Sequence, residues 1–334
     1  MDLNEEWSTF LNDESAYMQQ ITLNPYTGPE PTPSALYIST HTIISYLNQP
    51  IDLPDIFWKL PIIPYHIEKE GIIKKQMKIN STTKCEVADI EEKIKQYSYG
   101  YRMTIKHIDN EKGIIKYKDV CKVTIGISKK DILSYRIKQK GAFYNCFVVI
   151  LRVFIGYYKE FHVKIFNTGK IEIPGIQDRT HIPFIIKILL TQLREYYPEI
   201  SYNQESEEVV LINSNFNCGY YINRDHLYHK LRYDKNVSAV YDPCSYPGIQ
   251  CKIYYTEKGE VVTTPVPGNS VSFMIFRTGS ILIVGKCSQD IIYTIYNYII
   301  SMLQDLFTHV VDNKCIRAKQ ELVKKKVKKF ILIK

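Results

Sequence analysis

Two stretches of the chain alternate apolar and polar residues in the same way. Lys164–Gly175 (KIFNTGKIEIPG) and Met274–Gly285 (MIFRTGSILIVG) share the pattern I-F-x-T-G-x-I-x-I-x-G. Alternation on both sides of a Thr-Gly turn predicts a β-hairpin in each. The period then changes from two to 3.6. After the first hairpin, Ile185, Ile188, Leu189, Leu193 and Tyr196 recur at helical spacing, and Pro198 marks the stop. After the second, Ile291, Ile292, Ile295, Ile299, Met302, Leu303 and Leu306 do the same, behind Ser288 as N-cap and Asp290 in the first turn. Apolar stripes of this kind predict core.

A second pair of matches lies upstream. Ile51–Leu60 (IDLPDIFWKL) parallels Ile222–Leu231 (INRDHLYHKL), and both predict a short helix. Strand-like segments precede them, Leu36–Leu47 and Val209–Cys218, and glycine-led strands follow, Gly71–Lys78 and Gly248–Tyr255. Ile51 lies farther from Ile222 than Ile165 does from Ile275, so the first copy carries an insertion. The strand matches place it at about 80–142. It holds a predicted helix over Val87–Tyr97 and a strand near Lys116–Ile127, and a further strand near Ala142–Phe154 follows it.

The fold class this predicts is α+β. Each repeat reads as strand, helix, strand, excursion, hairpin and long helix, with antiparallel strands. The long helix covers one sheet face and leaves the other open, and an open face of that size calls for a partner. The expected organisation is an acidic extension over 1–35, a first repeat over 36–198, a second over 199–311 and a basic tail over 312–334.

Charge sharpens this picture. The net charge is +8. Residues 1–35 contain no Lys or Arg, whereas the tail and the segment Ser81–Lys140 are rich in Lys. Charge therefore sits on the appendages, where a footprint for nucleic acid is expected. The eight cysteines include no C-x-x-C pair, so no zinc ribbon or redox motif is visible. The start is acidic without an apolar core, unlike a signal peptide, and no run is long enough to span a membrane. Reduced thiols in a cytosolic or nuclear compartment are expected.

The doubled I-F-x-T-G-x-I-x-I-x-G hairpin with its following helix resembles the signature of the TATA-box-binding protein family. Asn213–Tyr228 followed by Tyr246-Pro247-Gly248 is similar to the first strand, helix and Phe-Pro-Gly strand of that family's second repeat. Ile38-Ser39-Thr40, the helix at Ile51–Trp58 and GAFYNCFVVILRV at Gly141–Val153 look more like the divergent forms of large DNA viruses. The resemblance covers about Leu36 to Val311. It implies a saddle-shaped, pseudo-twofold pair of repeats, a curved antiparallel sheet with long helices on the convex face. It also implies a transcription initiation factor that bends AT-rich promoter DNA through the minor groove and recruits a transcription factor IIB-like protein and RNA polymerase. The implied location is the nucleus or the cytoplasmic viral factory of a host cell, with packaging in the virion as a further place.

In such a mechanism aromatic wedges unstack base steps and kink the duplex. TA-rich steps deform most readily. The groove floor offers mainly acceptors, which suits uncharged donors. By the resemblance, Phe166 and Phe276 take the hairpin wedge position in each copy, and Tyr246 takes the second wedge of the second copy. The second wedge of the first copy has two alignments: Lys69, before the glycine-led strand, or Phe147, if Cys146–Val153 is the equivalent strand. Met274, Leu282 and Val284 share the face of Phe276. Asn213 and Asn215 match the floor of the second copy, with Thr40 and Thr42 as counterparts in the first. Lys164, Glu172 and Pro174 depart from the pattern, because a carboxylate opposes phosphate-lined DNA.

Other chemistries find little support. His226 and His229 lie three apart on a helix, but no third ligand stands at diagnostic spacing, so neither a metal nor a cofactor is expected. No nucleophile elbow, P-loop, dinucleotide fingerprint or zincin motif occurs, so the chain does not read as an enzyme. Two rival readings stand beside promoter binding. One is a saddle-fold interaction subunit of the transcription machinery that has lost DNA binding. The other is a nonspecific DNA binder acting through the basic insertion and tail.

Overall fold

The alternating stretches become two-faced strands in the computed structural model, which describes residues 31–134 and 143–312. The acidic extension up to residue 30, residues 135–142 of the basic insertion and the tail from 313 lie outside the described residues. Contacts divide the chain into two units, one around Ser39–Ile212 and one built from Asn213 onward together with residues before Ser39.

The first-copy unit contains β1 (Tyr37–Leu47), α1 (Leu53–Lys59), β2 (Gly71–Ser81), α2 (Lys84–Lys95), β3 (Gly100–Asp109), β4 (Tyr117–Gly126) and α3 (Lys129–Leu133). It continues with β5 (Cys146–Phe154), β6 (Tyr158–Phe166), β7 (Lys170–Ile176) and α4 (Ile182–Leu193). Its strands pair antiparallel in the order β1-β7-β6-β5-β2-β4-β3. One face is apolar: Val149, Leu151, Val163, Ile165, Ile171 and Ile173 form one core with Ile182, Ile185, Ile186, Leu189 and Leu193 of α4. Ile56 and Phe57 of α1, and Ile90 and Ile94 of α2, extend that core.

Asp52 caps α1 by accepting from the amide of Asp55, and Thr83 caps α2 by accepting from that of Glu86. Lys75 is fully buried on the same helix-covered face. Its Nζ donates to the carbonyl oxygen of Leu60 at 2.6 Å, just past the end of α1, and burial pushes its pKa down to about 8.

The second-copy unit holds residues 213–217 of β8 (Tyr202–Asn217), then α5 (Arg224–His229), which runs on into a π-turn at Lys230–Asp234. It then forms β9 (Ser238–Val240), β10 (Gly248–Tyr255), β11 (Val261–Val262), β12 (Ser270–Phe276), β13 (Ser280–Gly285), α6 (Gln289–Asp305) and α7 (Phe307–Val310). The strand order is β11-β10-β12-β13-β8, with β9 also on β10. Phe216 of β8 meets Tyr296 of α6 edge-on at 4.9 Å, and Tyr220 Oη donates to the carbonyl oxygen of Leu303 at 2.9 Å. These contacts place α6 on the face that carries Val271, Phe273, Ile275, Ile281 and Ile283, all buried.

Both hairpins are closed by the same backbone bonds. Leu47 N donates to Gly169 O and Ile51 N to Asn167 O; Cys218 N donates to Gly279 O and Ile222 N to Arg277 O. Ile51 and Ile222 are therefore counterparts, as the sequence match predicts.

Strand pairing revises the match that follows. Cys146 pairs with Phe166 as Gly248 pairs with Phe276, so β5 corresponds to β10. Gln76 of β2 pairs with Val148 as Val240 of β9 pairs with Gln250, so the glycine-led β2 corresponds to the short β9. The longer excursion of the first copy lies between β2 and β5, and β3 within it is a strand beyond those predicted from sequence. Tyr101, Met103 and Ile105 alternate there with Arg102, Thr104 and Lys106, but Tyr101 and Ile105 stay exposed, because the strand pairs with β4 alone.

Candidate nucleic-acid interface

The face of the second-copy sheet opposite α6 is built by alternation. In β12 the half-exposed Ser272, Met274 and Phe276 interleave with buried residues, and in β13 Ser280, Leu282 and Val284 do the same. Met274 pairs with Leu282, and Ser272 with Val284. Across β10, Gln250 pairs with Met274 and Lys252 with Ser272. On β8 the half-exposed Asn213, Asn215 and Asn217 alternate with buried Ile212, Ser214 and Phe216. Ser214 is anchored from below by donating to Ile283 O at 3.2 Å. Along these strands the face bears no carboxylate and one cation, Lys252. Asn213, Asn215, Met274, Leu282 and Val284 share it with Phe276.

Phe276 and Tyr246 stand together at one end of this face. Their ring centroids are 6.0 Å apart and tilted by 58°. Gly248 makes the pairing possible. A Cβ there would lie 3.0 Å from Phe276 Cε1 and 3.2 Å from Tyr246 Cε1, closer than ordinary contact. Asn217 steadies the same end: its Nδ2 donates to Thr278 O at 3.2 Å, and its Oδ1 accepts from Gly219 N at 2.8 Å.

The first-copy face differs at each equivalent place. Lys164 and Glu172 pair across β6 and β7 at 2.5 Å, where the second copy has Met274 and Leu282. Pro174 stands at the place of Val284. Thr42 corresponds to Asn213 and Ile44 to Asn215, by the shared bonds of Leu47 and Cys218. Thr40 therefore corresponds to Leu211, one step outside the expected floor, and Thr42 is buried at 7% exposure.

Phe147 requires correction. It is fully buried and meets Phe57 of α1 at 6.1 Å, so it belongs to the core and reaches no groove. Strand alternation explains this, since Cys146 is the counterpart of Gly248 and Phe147 takes the inward step of Ile249. The counterpart of Tyr246 is Tyr144, which is 58% exposed. Lys69 loses its claim as well, because it precedes β2 and not β5. Phe166 holds the expected hairpin position and is half-exposed, with Lys170 Nζ 5.5 Å above its ring. The comparison of Tyr144-Asn145-Cys146 with Tyr246-Pro247-Gly248 is the sequence signal for Tyr144.

The insertion also covers part of the first-copy face. Lys74 Nζ, nearly buried, donates to both carboxylate oxygens of Asp131 at 2.7 Å. Asp131 accepts in addition from the amide and hydroxyl of Ser128. Burial opposes its charge, but these donors hold its pKa below the usual carboxylate value. Lys129 N donates to Glu160 of β6 at 3.0 Å. α3 thus crosses from β4 over β2 to β6. Beside it, His162 Nδ1 is shielded without a hydrogen-bond partner, and burial with nearby Lys164 lowers that imidazole's pKa to about 4.

Among the described residues no group of three or more His, Cys, Asp or Glu side chains is placed to hold a metal. His229 instead stacks on Tyr233 at 5.7 Å. No described helix is long and apolar enough to cross a membrane.

No protein-family model and no curated protein matches the chain. Among solved structures it is similar to the TBP of Methanococcus jannaschii, with a TM-score of 0.41 and 12% identity, over 81% of this chain and 99% of that one.

Proposed function

We propose that the chain is a TATA-box-binding-protein-like transcription initiation factor that grips duplex DNA by the minor groove through its second-copy face. The supporting observation is the Phe276–Tyr246 pair standing over Gly248 at the end of a face without carboxylates. Phe276 and Tyr246 wedge a base step, and the unstacking cost, about a few kcal/mol, is offset by contact with the bent duplex. Met274, Leu282 and Val284 pack against sugars and base edges. Asn213 and Asn215 donate to the acceptors of A·T pairs. The site is an AT-rich promoter in the nucleus or a viral factory, and the partners are a transcription factor IIB-like protein and RNA polymerase. The chain carries out no covalent chemistry and needs no cofactor.

The test is fluorescence transfer across an end-labelled AT-rich duplex. Wild type is expected to shorten the end-to-end distance at low salt. Phe276→Ala is expected to weaken binding about tenfold or more, ~1.4 kcal/mol, and to abolish the bend. A straight duplex with wild type, or an unchanged bend with the variant, rejects the wedge.

A second reading has its own support. The Lys164–Glu172 pair and the α3 cover make the first-copy face unlike a groove-binding surface. If neither copy bends DNA, the reading becomes a saddle-fold interaction subunit, and a pull-down with a transcription factor IIB-type protein then distinguishes it.

A further inference from the structure

The first-copy sheet keeps a narrow strip that duplex reading does not use. Strand register lines up Met103, Lys122 and Lys78 across β3, β4 and β2, and one step past the Met77–Phe147 pair continues the row to Cys146 and Phe166 of β5 and β6. The next row runs from Tyr101 through Gln76 to Lys164. With strands about 4.8 Å apart, each row is about 19 Å long. The row beyond contains Lys74, which Asp131 of α3 occupies. A duplex laid across the sheet meets that cover, whereas a single strand fits the two rows left.

The strip has the chemistry of such a ligand. Tyr101, Phe143 and Tyr144 are 54%, 62% and 58% exposed. Cations stand over two of these rings: Lys78 Nζ lies 3.5 Å from the centroid of Tyr144, and Lys164 Nζ lies 5.5 Å from that of Phe143. Neither row carries a carboxylate before Glu172, which Lys164 neutralises. Aromatic faces for bases, interleaved with ammonium groups for phosphates, are what binding of single strands requires. Gln76 Nε2 donates to Thr124 Oγ1 at 3.0 Å, so that amide is engaged within the sheet. Lysines and rings give no selection for a ribose 2′-hydroxyl, the group that marks RNA.

We propose that this strip binds single-stranded DNA, with Phe143 and Tyr144 stacking on bases and Lys78 and Lys122 holding phosphates. The inference is independent of duplex bending by Phe276.

The test is fluorescence anisotropy of the full chain with a labelled twelve-residue oligothymidine, about the span of one single-strand site, and with an AT-rich duplex of equal length. The Phe143→Ala/Tyr144→Ala double variant is expected to lose about tenfold or more in affinity for the single strand and to keep its duplex affinity. Phe276→Ala is expected to do the reverse. Lys78→Glu provides a second reading if the double variant melts early, with the same expected loss. The proposal is overturned by absent single-strand binding in wild type or by single-strand binding unchanged in folded variants. Equal loss for both DNAs, or tenfold tighter binding of oligouridine, overturns it too.

Discussion

Gly248 opens β10 and Gly279 lies in the turn between β12 and β13, and the two answer to different constraints. Gly279 has φ +75°, and a Cβ there would come 2.2 Å from Tyr220 O. Gly248 has ordinary backbone, and its Cβ would meet only the Phe276 and Tyr246 rings. Gly279→Ala is therefore expected to destabilise the second-copy unit by roughly 1–3 kcal/mol, through left-handed backbone and a backbone clash. Gly248→Ala is expected to cost less than about 1 kcal/mol of stability, because rings yield by a few tenths of an ångström. Its effect should appear in DNA bending, where the displaced pair no longer meets a base step. Denaturant titration and the fluorescence-transfer assay separate the two variants. Comparable stability losses, with bending intact in Gly248→Ala, would show that the glycine serves packing alone.

At the scale of elements, α3 is the feature that makes the two copies unlike. It sets a protonation constraint on the strand beneath it. His162 is faced by Lys164 and Glu172 on the sheet, Lys130 on α3 and Lys122 on β4, and its folded pKa is about 4 against an ordinary 6.5. Above pH 6.5 the imidazole is neutral in both folded and unfolded chains and contributes no pH dependence. As pH falls from 6.5 towards 4 the unfolded chain takes the proton first, so stability declines through that window, by up to about 3 kcal/mol at its lower end. Thermal melts at pH 7 and pH 4.5 are expected to differ less for His162→Leu than for wild type. Equal differences would place the acid sensitivity in carboxylates such as Asp131.

The element scale also shows what was legible in sequence. The hairpins and long helices announce themselves because two-residue and 3.6-residue apolar periods coincide with one buried face. The edge strand β3 carries the period in Tyr101, Met103 and Ile105, but that face is not buried. The choice between Lys69 and Phe147 turned on which strand pairs with β6, a long-range fact that local pattern does not carry. A shift of three residues, from Tyr144 to Phe147, then moved the candidate from solvent to core. The second-copy site was legible because Tyr246-Pro247-Gly248 opens a glycine-led strand, a signal that Tyr144-Asn145-Cys146 of the first copy lacks. The α3 cover was not, since Lys74 and Asp131 meet across the insertion.

At the scale of the whole molecule, the placement of the net charge of +8 sets how far the proposed DNA binding would depend on salt. If the second-copy face takes a duplex as proposed, it contributes one lysine, Lys252, along its strands, and the grip would rest on shape and on apolar and amide contacts. The basic run from Lys314 to Lys334 lies outside the described residues, and its role is argued from charge alone. Each phosphate neutralised by Lys or Arg adds about −0.9 to the slope of log affinity against log salt. If the tail follows the duplex backbone, truncation after Asn313 is expected to flatten that slope by several units while leaving the bend angle unchanged. Affinity at high salt should then converge between the two forms, since tail contacts are screened first. Anisotropy titrations from low to moderate salt measure both quantities. An unchanged slope would confine phosphate contact to Lys252 and the loops around the wedge pair. A changed bend would mean that the tail takes part in deforming the duplex and does more than hold it.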